Sequence, residues 1–108
     1  MAADVGQFSI PASTTGNIDI NIGLTPTYSD LYWQGSAILP GHGHQRGSDA
    51  WCFSDTGNGP ANKYIRVKNT AGTLIIEGTV SYLTNKIRLN LTTNTSGSAI
   101  PVLAVFGN

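Results

Sequence analysis

Apolar and polar residues alternate along most of this chain. Ile18, Ile20 and Ile22 fall on one side, and Asn17, Asp19 and Asn21 on the other. That period of two belongs to a half-buried strand. It recurs in Ile65 and Val67 against Tyr64, Arg66 and Lys68, and in Ile87, Leu89 and Leu91 against Lys86, Arg88 and Asn90. Residues 73–83, TLIIEGTVSYL, predict a longer strand with a bulge or close contact at Gly78. Thr84-Asn85 then makes a tight turn into the strand that starts at Lys86. Further strands are expected over residues 7–10, 29–38, 50–54 and 100–106. Pro11, Pro26, Pro40, Pro60 and Pro101 lie between these runs or at their starts, where a missing N–H does little harm. Asn58-Gly59-Pro60 and residues 95–98 are turn-rich connectors. No stretch carries the 3.6-residue period of a helix. The expected fold is therefore all-β, a single antiparallel sandwich or jelly roll of seven or eight short strands spanning residues 1–108.

Composition adds one feature to that picture. Charged residues make up 11% of the 108, well under the roughly 25% of an ordinary soluble domain. The surface must be made polar by Ser, Thr, Asn and Gly, or be hidden against other subunits. Residues 101–106, PVLAVF, are apolar on both faces, which predicts a strand that is either central in the sandwich or, the favoured reading with so few charges, sealed by another subunit. The net charge is zero, so no global field attracts nucleic acid or an anionic membrane. No apolar run approaches the ~20 residues of a membrane-spanning helix. Acidic residues dominate up to Asn62 and basic ones follow it, an asymmetry that could pair the faces of neighbouring subunits. Residues 1–11 lack the pattern of a signal peptide, so synthesis in a cytoplasm is expected. The two sequons, Asn90-Leu-Thr92 and Asn94-Thr-Ser96, are then expected to stay bare. The single Cys52, between Trp51 and Phe53, is expected to pack as a small buried hydrophobe.

Candidate chemistry gathers in residues 39–53, LPGHGHQRGSDAWCF. Over residues 41–49 the expectation is a surface loop between two strands, made flexible by Gly41, Gly43 and Gly47, and secondarily a binding loop. As a sugar site it offers His42, His44, Gln45, Arg46 and Asp49 as hydrogen-bonding groups. Trp33 or Trp51 could stack on a pyranose ring, assisted by Tyr28 or Tyr32. Trp51 with Phe53, and Trp33 too, are otherwise expected in the core. Ser36 or Ser48 with His44 and Asp49 would make a triad by composition only. No Gly-x-Ser-x-Gly elbow, paired carboxylates or dinucleotide motif accompanies them, so catalysis is not expected.

Five segments carry a family resemblance: 15–20 (TGNIDI), 23–26 (GLTP), 78–80 (GTV), 86–92 (KIRLNLT) and 101–106 (PVLAVF). In this order, with an aromatic strand and a Gly- and Asp-rich loop between, the chain resembles small β-sandwich modules of bacteriophage virions. Such modules sit at tail-fibre tips, head spikes and capsid decorations, and are similar in shape to the H-type lectin sandwich. The resemblance implies a non-enzymatic virion protein that forms a homotrimer, contacts other virion proteins and binds a cell-surface glycan. A free-standing lectin is the alternative, and a small hydrolase the least supported. Gly41-His42-Gly43-His44 resembles the His-x-His element with which three chains of some phage fibres and spikes hold an iron ion. Residues two apart on extended backbone point to one side. Three copies of His42 and His44 about a threefold axis would supply six nitrogens to a transition metal. No other cofactor is implied.

Overall fold

A computed structural model describes residues 3–35, 37–54, 57–58 and 64–108, with the backbone alone at 53–54 and 57–58. Among the described residues ten strands follow one another: β1 (Ala3–Ile10), β2 (Gly16–Asn21), β3 (Tyr28–Gly35), β4 (Ile38–Arg46), β5 (Asp49–Ser54), β6 (Gly57–Asn58), β7 (Ile65–Lys68), β8 (Leu74–Leu83), β9 (Lys86–Asn94) and β10 (Ile100–Gly107). They form two antiparallel sheets, a six-stranded one in the order β1-β10-β3-β4-β5-β6 and a four-stranded one in the order β2-β9-β8-β7. The all-β sandwich expected from the alternation is the fold observed.

Between the sheets lies one apolar core. Leu31, Trp33, Ile38, Val102, Ala104 and Phe106 come from the six-stranded sheet, and Ile65, Val67, Ile76, Ile87, Leu89 and Leu91 from the other. The isoleucines of β2 pack against it from the edge. The strand count exceeds the expectation by β4 and by the two-residue β6 paired with β5, and β4 arises for two reasons. Residues 29–38 are not one strand, because the chain turns back at Ala37 and begins β4 at Ile38. The segment expected as a loop after Pro40 is itself strand, paired with β3 on one side and β5 on the other. Pro40 does no harm inside β4, because the β3–β4 register shifts between Trp33 and Gly35, beside the position it occupies. Pro60, Ser36 and the side chain of Phe53 lie outside the described residues.

The long β8–β9 hairpin behaves as its sequence predicts. Its register shifts between Glu77 and Gly78, and a Cβ at Gly78 would stand 2.5 Å from the Asn90 carbonyl oxygen. Asn85 takes a φ of 57° at the turn, a conformation that asparagine tolerates better than most residues. Strand β10 is central, between β1 and β3. Its Ile100, Val102, Ala104 and Phe106 enter the core, and its other face keeps Leu103 exposed. One acidic residue of the first half meets a basic residue of the second within the chain, since β2 lies on β9 and Asp19 accepts from Arg88 Nε at 2.7 Å and Nη2 at 3.0 Å.

Buried polar groups tie the two layers together. The Ser29 hydroxyl sits between the hydroxyls of Tyr64 (2.6 Å) and Tyr82 (2.7 Å), and Tyr82 donates to the Gln45 carbonyl oxygen at 2.8 Å. Burial raises Tyr82 to about 12 and drives Tyr64 further above the ordinary phenol range. Asn94 is buried, with its Nδ2 donating to the carbonyls of Pro11 and Thr14. That sequon amide is engaged in holding the β1–β2 connection, whereas Asn90 is exposed on β9.

Candidate functional site

The Gly41-His42-Gly43-His44 run resolves into two faces of one strand. The glycines point inward and the histidines outward. Each glycine is there for space. A Cβ on Gly41 would stand 2.3 Å from Trp33 Nε1, and one on Gly43 would stand 2.0 Å from the Tyr64 carbonyl oxygen. At Gly41 and Gly43 strand β4 therefore lies so close to the core that no side chain fits beneath it, and the expected flexible loop is corrected to a packed strand. Flexibility is not what glycine supplies here except at Gly47, whose φ of 60° opens the two-residue turn to β5.

On the outer face the register brings β3, β4 and β5 side by side. Asp30 pairs with His44, and His44 with Trp51; one rung along, Tyr32 pairs with His42. Asp30 Oδ1 accepts hydrogen bonds from His42 Nε2 at 2.9 Å and from His44 Nδ1 at 2.7 Å. A carboxylate can only accept, so these contacts place a proton on Nε2 of His42 and on Nδ1 of His44. Both bonds fall on Oδ1, and Oδ2 has no hydrogen-bond partner among the described residues. The Tyr32 ring stacks on His42 at 4.4 Å and 8°. Trp51 meets His42 edge-on at 5.5 Å and lies tilted against His44 at 5.4 Å. The result is a carboxylate–imidazole clasp framed by two aromatic rings. Tyr32 is 43% exposed and Trp51 45%.

Of the residues expected to bind, His42 and His44 sit at the centre of this cluster. Arg46 and Asp49 are exposed and paired in register at the hairpin end, one rung beyond His44. Gln45 is not a surface ligand. It points inward, is 5% exposed, and donates through Nε2 to the carbonyls of Gly47 and Val80. Trp33 is not a stacking platform either, being 2% exposed and packed in the core. Trp51, expected in the core, is instead the exposed ring. The phase of the alternation explains this reversal. Cys52 faces inward, burial raising its thiol pKa, so Trp51 must face out.

Sequence reasoning missed Asp30 and gave Tyr32 only an assisting part. The alternation in 28–33 does put Tyr28, Asp30 and Tyr32 on one face. Their meeting with His42 and His44 depends on where the chain turns between β3 and β4, which the sequence pattern did not locate. The clasp engages one nitrogen of each imidazole, so a metal shared across a threefold axis has at most one other nitrogen per ring. Among the described residues, no group of three His, Cys, Asp or Glu side chains is arranged to hold a metal ion. Comparison with protein families, with characterised proteins and with solved structures finds no match.

Proposed function

We propose that the chain is a non-enzymatic binding module that holds a cell-surface glycan on the outer face of its six-stranded sheet, as a homotrimeric component of a phage virion. The observation that carries the binding reading is the placement of apolar surface. Among the described residues the exposed large hydrophobic side chains are Val5, Tyr32, Trp51 and Leu103. All four lie on this face, because the register carries it from Val5 and Gln7 on β1 across to Trp51 on β5. Apolar side chains concentrated in one exposed patch mark a binding surface more often than scattered ones do. Rings flanking hydrogen-bonding groups suit a sugar, whose C–H faces stack on aromatics while its hydroxyls bond to fixed polar atoms. Trp51 supplies a ring, Asp30 Oδ2 an acceptor, and Arg46 and Asp49 a polar rim. The virion setting is supported by the strand-and-turn resemblance, and the trimer by the low charge and by the Val5–Leu103–Val105 side of the face.

A glycan array and intact bacterial cells test the reading with one variant. Trp51→Ala is expected to weaken binding at least about tenfold, the loss of a stacked ring. Its stability is expected to fall by only about 1 kcal/mol, since the ring is 45% exposed and its ring contacts to His42 and His44 lie outside the core. Unchanged binding overturns the assignment of this face. The light-scattering mass of the same sample is expected to equal three chains, and a mass of one chain removes the trimer.

A further inference from the structure

One rung of the six-stranded sheet carries, from β1 to β5, Val5, Val105, Asp30, His44 and Trp51 on its outer face. The hydrogen bonds of Asp30 and His44 fix what the middle of this rung offers a ligand. His44 donates to Asp30 through Nδ1 at 2.7 Å, and a neutral imidazole with its proton there keeps only an acceptor at Nε2. Asp30 takes both histidine N–H groups on Oδ1, which leaves Oδ2 as a second acceptor. Neither atom is sealed. Both side chains keep part of their surface in water, and the buried side-chain atom without a partner among the described residues is a different one, Trp33 Nε1. Two solvent-facing acceptors therefore stand on neighbouring strands, about 5 Å apart by the spacing of a sheet. The half-exposed indole of Trp51 lies next along the rung, 5.4 Å from the His44 ring.

Two acceptors side by side ask for two donors side by side. A carboxylate or sulfate on the ligand would bring acceptors only and face the Asp30 charge. Arg46 stands one rung beyond His44 and opposite Asp49, so that rung adds no net positive charge. Adjacent donors on a ring that also has an apolar face are the neighbouring hydroxyls of a pyranose. We propose that the clasp reads a vicinal diol: two adjacent, unsubstituted hydroxyls of a neutral sugar donate to Asp30 Oδ2 and His44 Nε2, while its C–H face lies on Trp51. The inference deepens the glycan reading and rests on it. It adds that the sugar held carries both hydroxyls free of linkage, acyl and alkyl groups, as a residue at the end of a chain does most readily.

The minimal probe is the vicinal diol of cyclohexane, a ring with an apolar face and two adjacent hydroxyls. The two histidines give separate imidazole signals in a long-range nitrogen–proton correlation spectrum, assigned with a His42→Gln variant. In alkaline buffer, where imidazole is neutral, His44 is expected to show the pattern of a proton on Nδ1. Titration with the diol is expected to move its Nε2 signal saturably. The monomethyl ether of the diol, with one hydroxyl blocked, is expected to bind at least about fivefold more weakly, the loss of one hydrogen bond. Asp30→Asn keeps the shape of the side chain, so the variant should fold. Its oxygen stays with the two histidine N–H groups and its amide N–H₂ takes the place of Oδ2, which sets donor against donor. The response is then expected to fall at least about tenfold. A His44 signal that ignores the diol, an equal response to the ether, or an undiminished response in Asp30→Asn overturns the proposal. A stronger response to cyclohexylammonium overturns it too, in favour of a cationic ligand. Bacterial surface polysaccharide supplies the second arm. Periodate cleaves the carbon–carbon bond between adjacent free hydroxyls, so polysaccharide oxidised in this way and then reduced with borohydride is expected to bind at least about tenfold more weakly. Binding that depends on Trp51 but survives periodate overturns the diol inference and leaves the glycan reading standing. A saturable response to the diol with no polysaccharide bound sinks the glycan reading instead.

Discussion

The β4–β5 and β8–β9 hairpins have the same plan and opposite contents. Each has a two-residue turn with one backbone position at positive φ, Gly47 in the first and Asn85 in the second. In β8–β9 the inward positions carry Ile76, Val80, Ile87, Leu89 and Leu91, and the outward ones Thr79, Ser81, Arg88 and Asn90. In β4–β5 the inward positions carry Gly41, Gly43, Gln45, Ala50 and Cys52, and the outward ones His42, His44 and Trp51. The first arrangement is what the hydrophobic effect alone would select, because it buries the most apolar area. The second places its rings on the outer face and, Gln45 apart, its smallest residues against the core. Stability does not account for that inversion, which is the physical reason to look for function on the outer side of β4 and β5.

Removing the space that glycine provides gives the largest expected effect. Gly43→Ala sets a methyl group 2.0 Å from a backbone carbonyl oxygen that cannot swing aside, so a loss of about 3 kcal/mol or more is expected, measured by denaturant unfolding. A loss under about 1 kcal/mol would mean that β4 does not press on Tyr64, and the contrast between the hairpins would fail. Truncation of the bulky residues sharpens the contrast. Leu89→Ala should cost about 2–5 kcal/mol, whereas Trp51→Ala, which removes more atoms, should cost only about 1 kcal/mol. Similar losses in both would show that Trp51 contributes to stability as a core residue does.

The smallest effect lies on the outer face of the four-stranded sheet. Bonding to the Arg88 guanidinium, with Lys86 nearby, lowers Asp19 to about 2 from its ordinary 3.8. A depressed carboxylate stabilises the fold above its unfolded pKa, and that contribution is lost as pH falls from about 4 to about 2. The pair is exposed, so the effect should be small and screened by salt. Asp19→Asn is expected to lower thermal stability slightly at pH 7 and to flatten the acid limb in that window, so that the two profiles converge at about pH 2. An acid limb identical to that of the unsubstituted protein would remove Asp19 from it.

The degree to which this fold was legible follows from how its strands encode their phase. Wherever branched aliphatic residues alternate with polar ones, as in β2, β7 and β9, the inward face was readable directly. Gly78 and Thr84-Asn85 were readable because bulges and turns need particular backbone geometry. β4 was not readable, because its inward positions carry glycine and its outward ones histidine, so no hydrophobic alternation marks it as strand. The same two glycines suggested a flexible loop, although they mark close packing against Trp33 and Tyr64. Aromatic character alone points Trp51 to the core, whereas its buried neighbour Cys52 sets the phase and turns it outward. Asp30 could not be linked to His42 and His44 without the turn at Ala37, since their meeting is a matter of register.

The glycine lining beneath β4 also separates two kinds of inheritance. Inward positions 41 and 43 admit no larger side chain, so they are closed to change. Outward positions 42, 44 and 51 add little to the core, so substitution there alters what the face recognises while the sandwich beneath it persists. A lineage under pressure to follow a shifting ligand could therefore rewrite this face one residue at a time, with every intermediate still folded.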